Sequence, residues 1–177
     1  MAALQPTVSK AKKLYVETMM QVIGRALQAV SQVDELIRNE VHQLPQGFIV
    51  QMKVLPSGPA FTVQKQTDGS LKYLGGITHH KPDLCIAFKH ITHAFLLFSF
   101  QESTAMAFAH DRMMVDGEIS YALKITRILN RLEAFILPKL LAERALKEYP
   151  TSLKLPEKLL HGARIYLQLA TNLVKVN

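Results

Sequence analysis

Pro82-Asp-Leu-Cys-Ile-Ala-Phe88 opens the stretch that decides the fold, which continues through His90-Ile-Thr-His-Ala-Phe-Leu-Leu-Phe98 and Arg112-Met-Met-Val-Asp-Gly-Glu118 to Leu129. It reads as a short strand, a helical block without a polar side, a second strand closed by a glycine turn, and a long amphipathic helix. An apolar block of this size either packs a core or lines a cavity. In this order of elements a lipid-sized cavity is the reading of interest.

The region before it has strand character. Phe48-Ile-Val-Gln-Met-Lys-Val54, Ala60-Phe-Thr-Val-Gln64 and Leu71-Lys-Tyr-Leu74 are short runs rich in branched and aromatic residues, separated by Pro56-Ser-Gly-Pro59 and Thr67-Asp-Gly-Ser70. Asp68-Gly69 predicts a hairpin because both residues tolerate positive φ. Residues 83–89 and 112–116 make the fourth and fifth strands. Between them, Gln101-Glu-Ser-Thr104 interrupts the helical block, and Ser103 or Glu102 starts a second short helix.

Further out the period is helical. From Ser9 to about Gln43 no proline interrupts, and Val16, Met19, Ile23, Ala26, Val30, Val33 and Ile37 recur at steps of three and four. One long helix is expected, bent at Gly24 and ended by Leu44-Pro45. Its stripe packs on the domain or serves a homodimer contact. After Gly117 a helix is predicted from Ile119 to about Leu137, with Ala122, Ile125, Leu129, Leu132 and Ile136 on one stripe. Pro138 bounds a next helix over 139–149, residues 150–156 form a linker, and a last helix over 157–174 carries Leu159, Leu160, Ala163, Leu167, Ala170 and Val174 on its apolar face. The expected divisions are residues 1–46, an N-terminal helical extension, 47–149, a lipid-binding domain, and 150–177, a linker and helix.

Composition limits the classes of function. The 177 residues are 49% hydrophobic and 20% charged, ordinary for a globular chain with one substantial core. The single cysteine, Cys85, excludes an internal disulfide and reads as a buried structural thiol in a reducing compartment. The N-terminus lacks the pattern of a signal peptide, and the longest apolar run, 94–98, is far below the roughly 20 residues of a membrane helix. A soluble cytoplasmic protein is expected.

The net charge of +7 is concentrated in the last third, where ten Lys or Arg face four Glu from Ile119 onward. Aromatics are not interleaved with these charges and no nucleic-acid motif is present, so nucleic acid is not expected as a partner. Lys124, Arg127 and Arg131 share one helix flank, as for a solvated face or one that meets anionic headgroups.

Catalytic and metal signatures are absent from the pattern. His79-His80 with His90-x-x-His93 is the cluster that merits a metal test, but no paired cysteines, His-Glu-x-x-His or spaced carboxylates accompany it. No phosphate loop, dinucleotide fingerprint or nucleophile elbow occurs. Asp111, Asp116 and Glu118 read as turn and cap residues beside a strand end. Neither a catalytic residue, a metal nor a cofactor is expected.

The segment 82–88, the apolar helices after it, and Arg112-Met-Met-Val-Asp-Gly-Glu118 followed by Ile119-Ser-Tyr-Ala-Leu-Lys-Ile125 together resemble the sterol carrier protein type two family. That family shows an Asp-containing fourth strand, a helical excursion, then a strand ending in a Val-x-Gly-Asp or Val-x-Gly-Glu turn that opens a helix. Here the turn reads Val115-Asp-Gly-Glu118. The resemblance covers about Gly47 to Leu141. It implies an α+β fold in which helices cover a five-stranded, mostly antiparallel sheet and enclose an apolar tunnel. It further implies binding, presentation or transfer of a long-chain fatty acyl, isoprenoid or sterol-like lipid without catalysis, or an accessory role in lipid or quinone metabolism.

Phe95, Phe98, Phe100, Met106, Phe108, Met113 and Met114 place aromatics and pliable thioethers in the same region, as suits a surface that repacks around varied ligands. The lining expected for such a tunnel is Phe88, Phe95, Phe98, Met106, Met113, Val115, Ile125 and Leu129. A transient anionic membrane surface is the expected second partner. The alternative is a helical interaction subunit around a filled core.

Overall fold

The computed structural model describes residues 5–76 and 80–136. In chain order the elements are α1 (Gln5–Val33), α2 (Glu35–His42), β1 (Ile49–Val54), β2 (Ala60–Lys65), β3 (Leu71–Gly75), β4 (Leu84–Phe88), α3 (Ile91–Phe98), α4 (Thr104–Ala109), β5 (Met113–Asp116) and α5 (Ile119–Ile136). The five strands form one sheet in the order β3-β2-β1-β4-β5. Only β1 and β4 run parallel, because the chain leaves the β3 edge and crosses back to the free side of β1. The expected α+β class and mostly antiparallel sheet are present.

Each strand lies within about a residue of the run that predicted it, because turn chemistry fixes the ends. At the β2–β3 hairpin, Asp68 accepts hydrogen bonds from the Ser70 amide and hydroxyl, and Gly69 takes φ +80°. Gly117 takes φ +133°, and a Cβ there would meet the Asp83 carbonyl oxygen at 2.6 Å. The glycine is therefore set both by backbone conformation and by close approach to the β3–β4 connection.

Strand alternation divides the sheet into two faces. Phe48 leads onto an inner face made of Val50, Met52 and Val54 of β1, Phe61 and Val63 of β2, Leu71 and Tyr73 of β3, Leu84, Ile86 and Phe88 of β4, and Met113 and Val115 of β5. These side chains share one core with Val16, Met20 and Val30 of α1, Ile37 and Val41 of α2, and Ile125, Ile128 and Leu132 of α5. The α1 stripe is thus used within the domain, as one of its two sequence readings held.

The N-terminal helix corrects one expectation. It is not continuous to Gln43 and its break is at Asp34, where the backbone turns extended and the carboxylate accepts the Ile37 amide as the N-cap of α2. Gly24 has a packing role: a Cβ on it would lie 2.5 Å from the Tyr73 ring, so glycine lets α1 sit directly on β3. Ser31 and Gln28 of α1 then accept hydrogen bonds from the Leu71 and Tyr73 amides. This covers the outward-facing donors of the β3 edge, which would otherwise template association. Lys65, buried at the end of β2, donates to the His42 and Leu44 carbonyls at the C-terminus of α2.

Candidate functional apolar layer

The candidate layer is assembled from four elements. In the β4–β5 pairing Phe88 stands opposite Met113 and Ile86 opposite Val115, which places Phe88, Met113 and Val115 on the inner face. Over them lies α3, capped by His90, whose Nδ1 accepts the Thr92 amide. Phe98 of α3 meets the Phe88 ring edge-on, centroids 5.5 Å apart. From α5, Ile125 is buried in the same core and Leu129 packs against it. Phe95, partly buried, stands edge-on to Tyr15 of α1 at 5.4 Å, with the Lys12 ammonium over its ring. Seven of the eight expected lining residues therefore belong to or pack on one core. The eighth, Met106, is 49% exposed on α4 and lies outside that core.

Sequence reasoning had the α1 stripe pack on the domain but did not foresee that α1 meets α3. The Tyr15 hydroxyl donates to the Phe98 carbonyl across 83 residues of chain, and Val16 and Met20 enter the same core. A helical stripe tells which residues face inward but not which distant helix they meet.

The short helix α4 has Ser103 as its N-cap, accepting the Met106 amide, as one sequence reading held. Both α3 and α4 end in paired closing bonds with a left-handed residue after the cap, Phe100 at φ +57° and Asp111 at φ +55°. The Phe100 and Gln101 amides bond back to Leu97 and Leu96, and those of Asp111 and Arg112 to Phe108 and Ala107. Glycine is the usual occupant of that position, so a phenylalanine there is a costly choice. Glu102, largely buried, is held by His110 Nδ1 at 2.8 Å and Arg112 at 3.1 Å, which ties the start of α4 to the residues that follow it. Ala107 is buried beneath the helix while Met106 and Phe108 are exposed.

The basic flank of α5 faces α2. Arg131 makes a bidentate pair with Asp34 at 2.7 and 2.8 Å, and Arg127 one with Glu40 at 2.9 Å. Lys124 donates to Gln43. These three side chains form a polar seam between α5 and α2, in which Arg131 is largely buried and Arg127 stays half exposed. The Arg127 hydrogen bonds hold the Glu40 carboxyl below its ordinary value, partly opposed by burial, and raise Arg127 in return.

A separate cleft of about 280 Å³ lies on the α1 side of β2 and β3, lined by Glu17, Gln21, Pro59, Ala60, Tyr73 and Gly76. Its mixed lining, with Glu17 and Gln21 beside Pro59 and Ala60, sets it apart from the apolar layer, and none of the eight expected residues lines it.

The remaining candidates for chemistry occupy structural positions. Asp111 pairs with Lys89, and the Glu118 carbonyl closes the first turn of α5 by accepting from Tyr121 and Ala122. Cys85 is buried on β4, and burial pushes its thiol up, with nearby Lys53 opposing. Among the described residues no three His, Cys, Asp or Glu side chains converge as a metal set. Nor is any helix there long and apolar enough to cross a membrane.

No protein-family model matches the chain, and no curated protein matches it significantly. Similar solved structures are sterol carrier protein domains and a ubiquinone synthesis protein, all at low identity. The ubiquinone synthesis protein UbiJ-SCP2 is 12% identical with a TM-score of 0.42, over 75% of this chain and 97% of that one. Sterol carrier protein domain 2 of Helicoverpa armigera is 19% identical with a TM-score of 0.42, over 63% and 85%. Sterol carrier protein 2 of Yarrowia lipolytica, in its apo form, is 16% identical with a TM-score of 0.44, over 64% and 88%.

Proposed function

We propose that this chain binds a long-chain apolar lipid between the inner face of β4–β5 and helices α3 and α5, and presents or transfers it without converting it. The observation that carries this reading is that Phe88, Phe98, Met113 and Ile125 belong to one buried core on which Val115 and Leu129 pack, beside a short helix that exposes Met106 and Phe108. Phenylalanine supplies broad apolar surface and methionine repacks readily, so the layer can part around an acyl, isoprenoid or sterol-like body with little headgroup selectivity. Met106 and Phe108 form the mouth. The likeness of residues 82–125 to the sterol carrier pattern supports the same assignment.

Delivery to an anionic bilayer belongs to this reading in altered form. With Lys124, Arg127 and Arg131 engaged by α2, the attraction falls to residues 137–177, which carry seven Lys or Arg against three Glu. A homodimer contact would use Leu14 and Val22, exposed on α1. A helical interaction subunit is the second reading, favoured by the full burial of Phe88 and its close ring contact with Phe98, which suit a filled core.

Uptake of a fluorescent long-chain fatty acid separates the two. Wild type should saturate, while Phe98→Asp and Met106→Asp should lose uptake; the second variant is informative because Met106 is half exposed and its replacement leaves the core intact. Folded variants that bind as wild type does would remove the assignment of the layer.

A further inference from the structure

The two edges of the sheet differ. At the β3 edge, Ser31 and Gln28 of α1 accept the outward amides of Leu71 and Tyr73. At the β5 edge the Lys89 amide donates to the Arg112 carbonyl, and the pairing sets Ala87 opposite Met114 and Cys85 opposite Asp116. By antiparallel alternation Arg112, Met114 and Asp116 are then the residues that bond to β4. Met113 and Val115 turn their N–H and C=O groups outward, and among the described residues these groups meet no partner. An edge of this kind is a template for another strand.

The surroundings of this edge are apolar. Met114, on the outer face of β5, is 43% exposed. Ile119, which opens α5 just after β5, is 74% exposed, and Leu123, one turn on, is 56% exposed. Ile119 stands on the flank of α5 away from Lys124 and Arg131, which face α2. Since Lys65 of β2 holds the end of α2, that flank lies on the β5 side of the molecule. The strand itself has opposite charges at its ends: Arg112, which also holds Glu102, precedes it, and the exposed Asp116 closes it.

We propose that two copies of this chain pair antiparallel through β5, about a two-fold axis at Met114, so that one sheet runs through both molecules. This register uses both outward residues, because Met113 bonds to Val115 of the second copy and Val115 to the second copy's Met113. It sets Arg112 opposite the second copy's Asp116 at each end, and Met114 against its own counterpart in the middle. The charge match arises from the strand's own sequence, which favours a second copy over an unrelated extended peptide. The axis is perpendicular to the sheet, so both α5 helices stay on one side of it and bring Ile119 and Leu123 toward the contact. The contact uses no residue of α1 and requires no lipid.

Sedimentation velocity of the full-length protein over a concentration series should show a monomer–dimer equilibrium. Met114→Lys and Met114→Glu each set like charges face to face at a half-exposed position, and each should weaken the dimer at least about ten-fold. An equal mixture of the two variants should recover the dimer, because lysine then stands opposite glutamate. Leu14→Asp/Val22→Asp, on the exposed side of α1, should dimerise as wild type does. A monomer at every concentration, a dimer indifferent to charge at residue 114, a mixture that stays monomeric, or a dimer lost only in the α1 variant would each overturn the proposal. A second measurement adds no charge: Met114→Cys in a Cys85→Ser background is treated with oxidised glutathione. The two thiols at residue 114 should join the copies, losing two hydrogens to the glutathione disulfide, and failure to cross-link would overturn the register.

Discussion

The seam between α2 and α5 and the layer between α3 and β4–β5 are both helix contacts, but opposite physics holds them. At the seam two arginines reach two carboxylates in bidentate pairs, one of them over Asp34, which is 2% exposed. At the layer there are aromatic edges and thioethers, which impose no fixed partner. Ion pairs of defined geometry set one arrangement of the helices. Apolar contact tolerates several, so rigidity belongs to α2–α5 and, on the proposed function, accommodation of a ligand to α3–α4.

The sharpest way to break the comparison is Arg131→Ala. It leaves Asp34 buried without its cation at the cap of α2, so a loss of about 3–5 kcal/mol is expected in denaturant unfolding. A loss below 1 kcal/mol would mean that the seam is ornamental and the contrast false. Gly117→Val tests the turn that joins the two regions. A branched side chain at φ +133° and against the Asp83 carbonyl should cost about 1 kcal/mol or more, read as a shift in unfolding midpoint.

Phe100→Gly sharpens the other side of the comparison. Removing a bulky residue from a left-handed cap should raise stability by about 1 kcal/mol. If Phe100 is kept for the lipid layer, fatty acid uptake should fall as stability rises. Unchanged uptake would leave Phe100 as an unfavourable cap only.

The smallest effect is expected at Arg127→Ala, an exposed pair, at about 0.2–1 kcal/mol near neutral pH. Its pH dependence has a definite sign. The Arg127 hydrogen bonds lower the Glu40 carboxyl in the folded state, so its contribution is full above the ordinary value of 4.5 and is lost as pH falls through the lowered one. The difference between wild type and variant should therefore shrink on acidification, which urea titrations at several pH values would detect.

Much of the sheet could be read from local chemistry. Branched runs bounded by Pro56-Ser-Gly-Pro59, Asp68-Gly69 and Gly117 leave little freedom in where strands start and stop, and Ser103 marks the start of α4 as a hydroxyl before an apolar run. The break at Asp34 was hidden, because a helical stripe that continues through Ile37 and Val41 gives no sign that the carboxylate between will cap a new helix. The role of the α5 arginines was hidden for a related reason. Asp34 lies 97 residues from Arg131 and Glu40 lies 87 from Arg127, and an amphipathic pattern does not distinguish a cation facing water from one facing a carboxylate. Of the candidate layer, the clustering of Phe and Met between residues 88 and 115 and the inward stripe of α1 were legible, but the exposure of Met106 and the contact of Tyr15 with α3 were not. The expectations for residues 137–177 concern a stretch outside the described residues.

The central claim is that the α3–β4–β5–α5 layer holds a lipid. Native mass spectrometry of the purified full-length protein, followed by organic extraction and identification of what is released, tests it directly. The expected result is a bound species that raises the mass by that of one long-chain apolar molecule, recovered in the extract and absent from Phe98→Asp. A protein whose mass matches its sequence alone, and that takes up no added fatty acid, would contradict it.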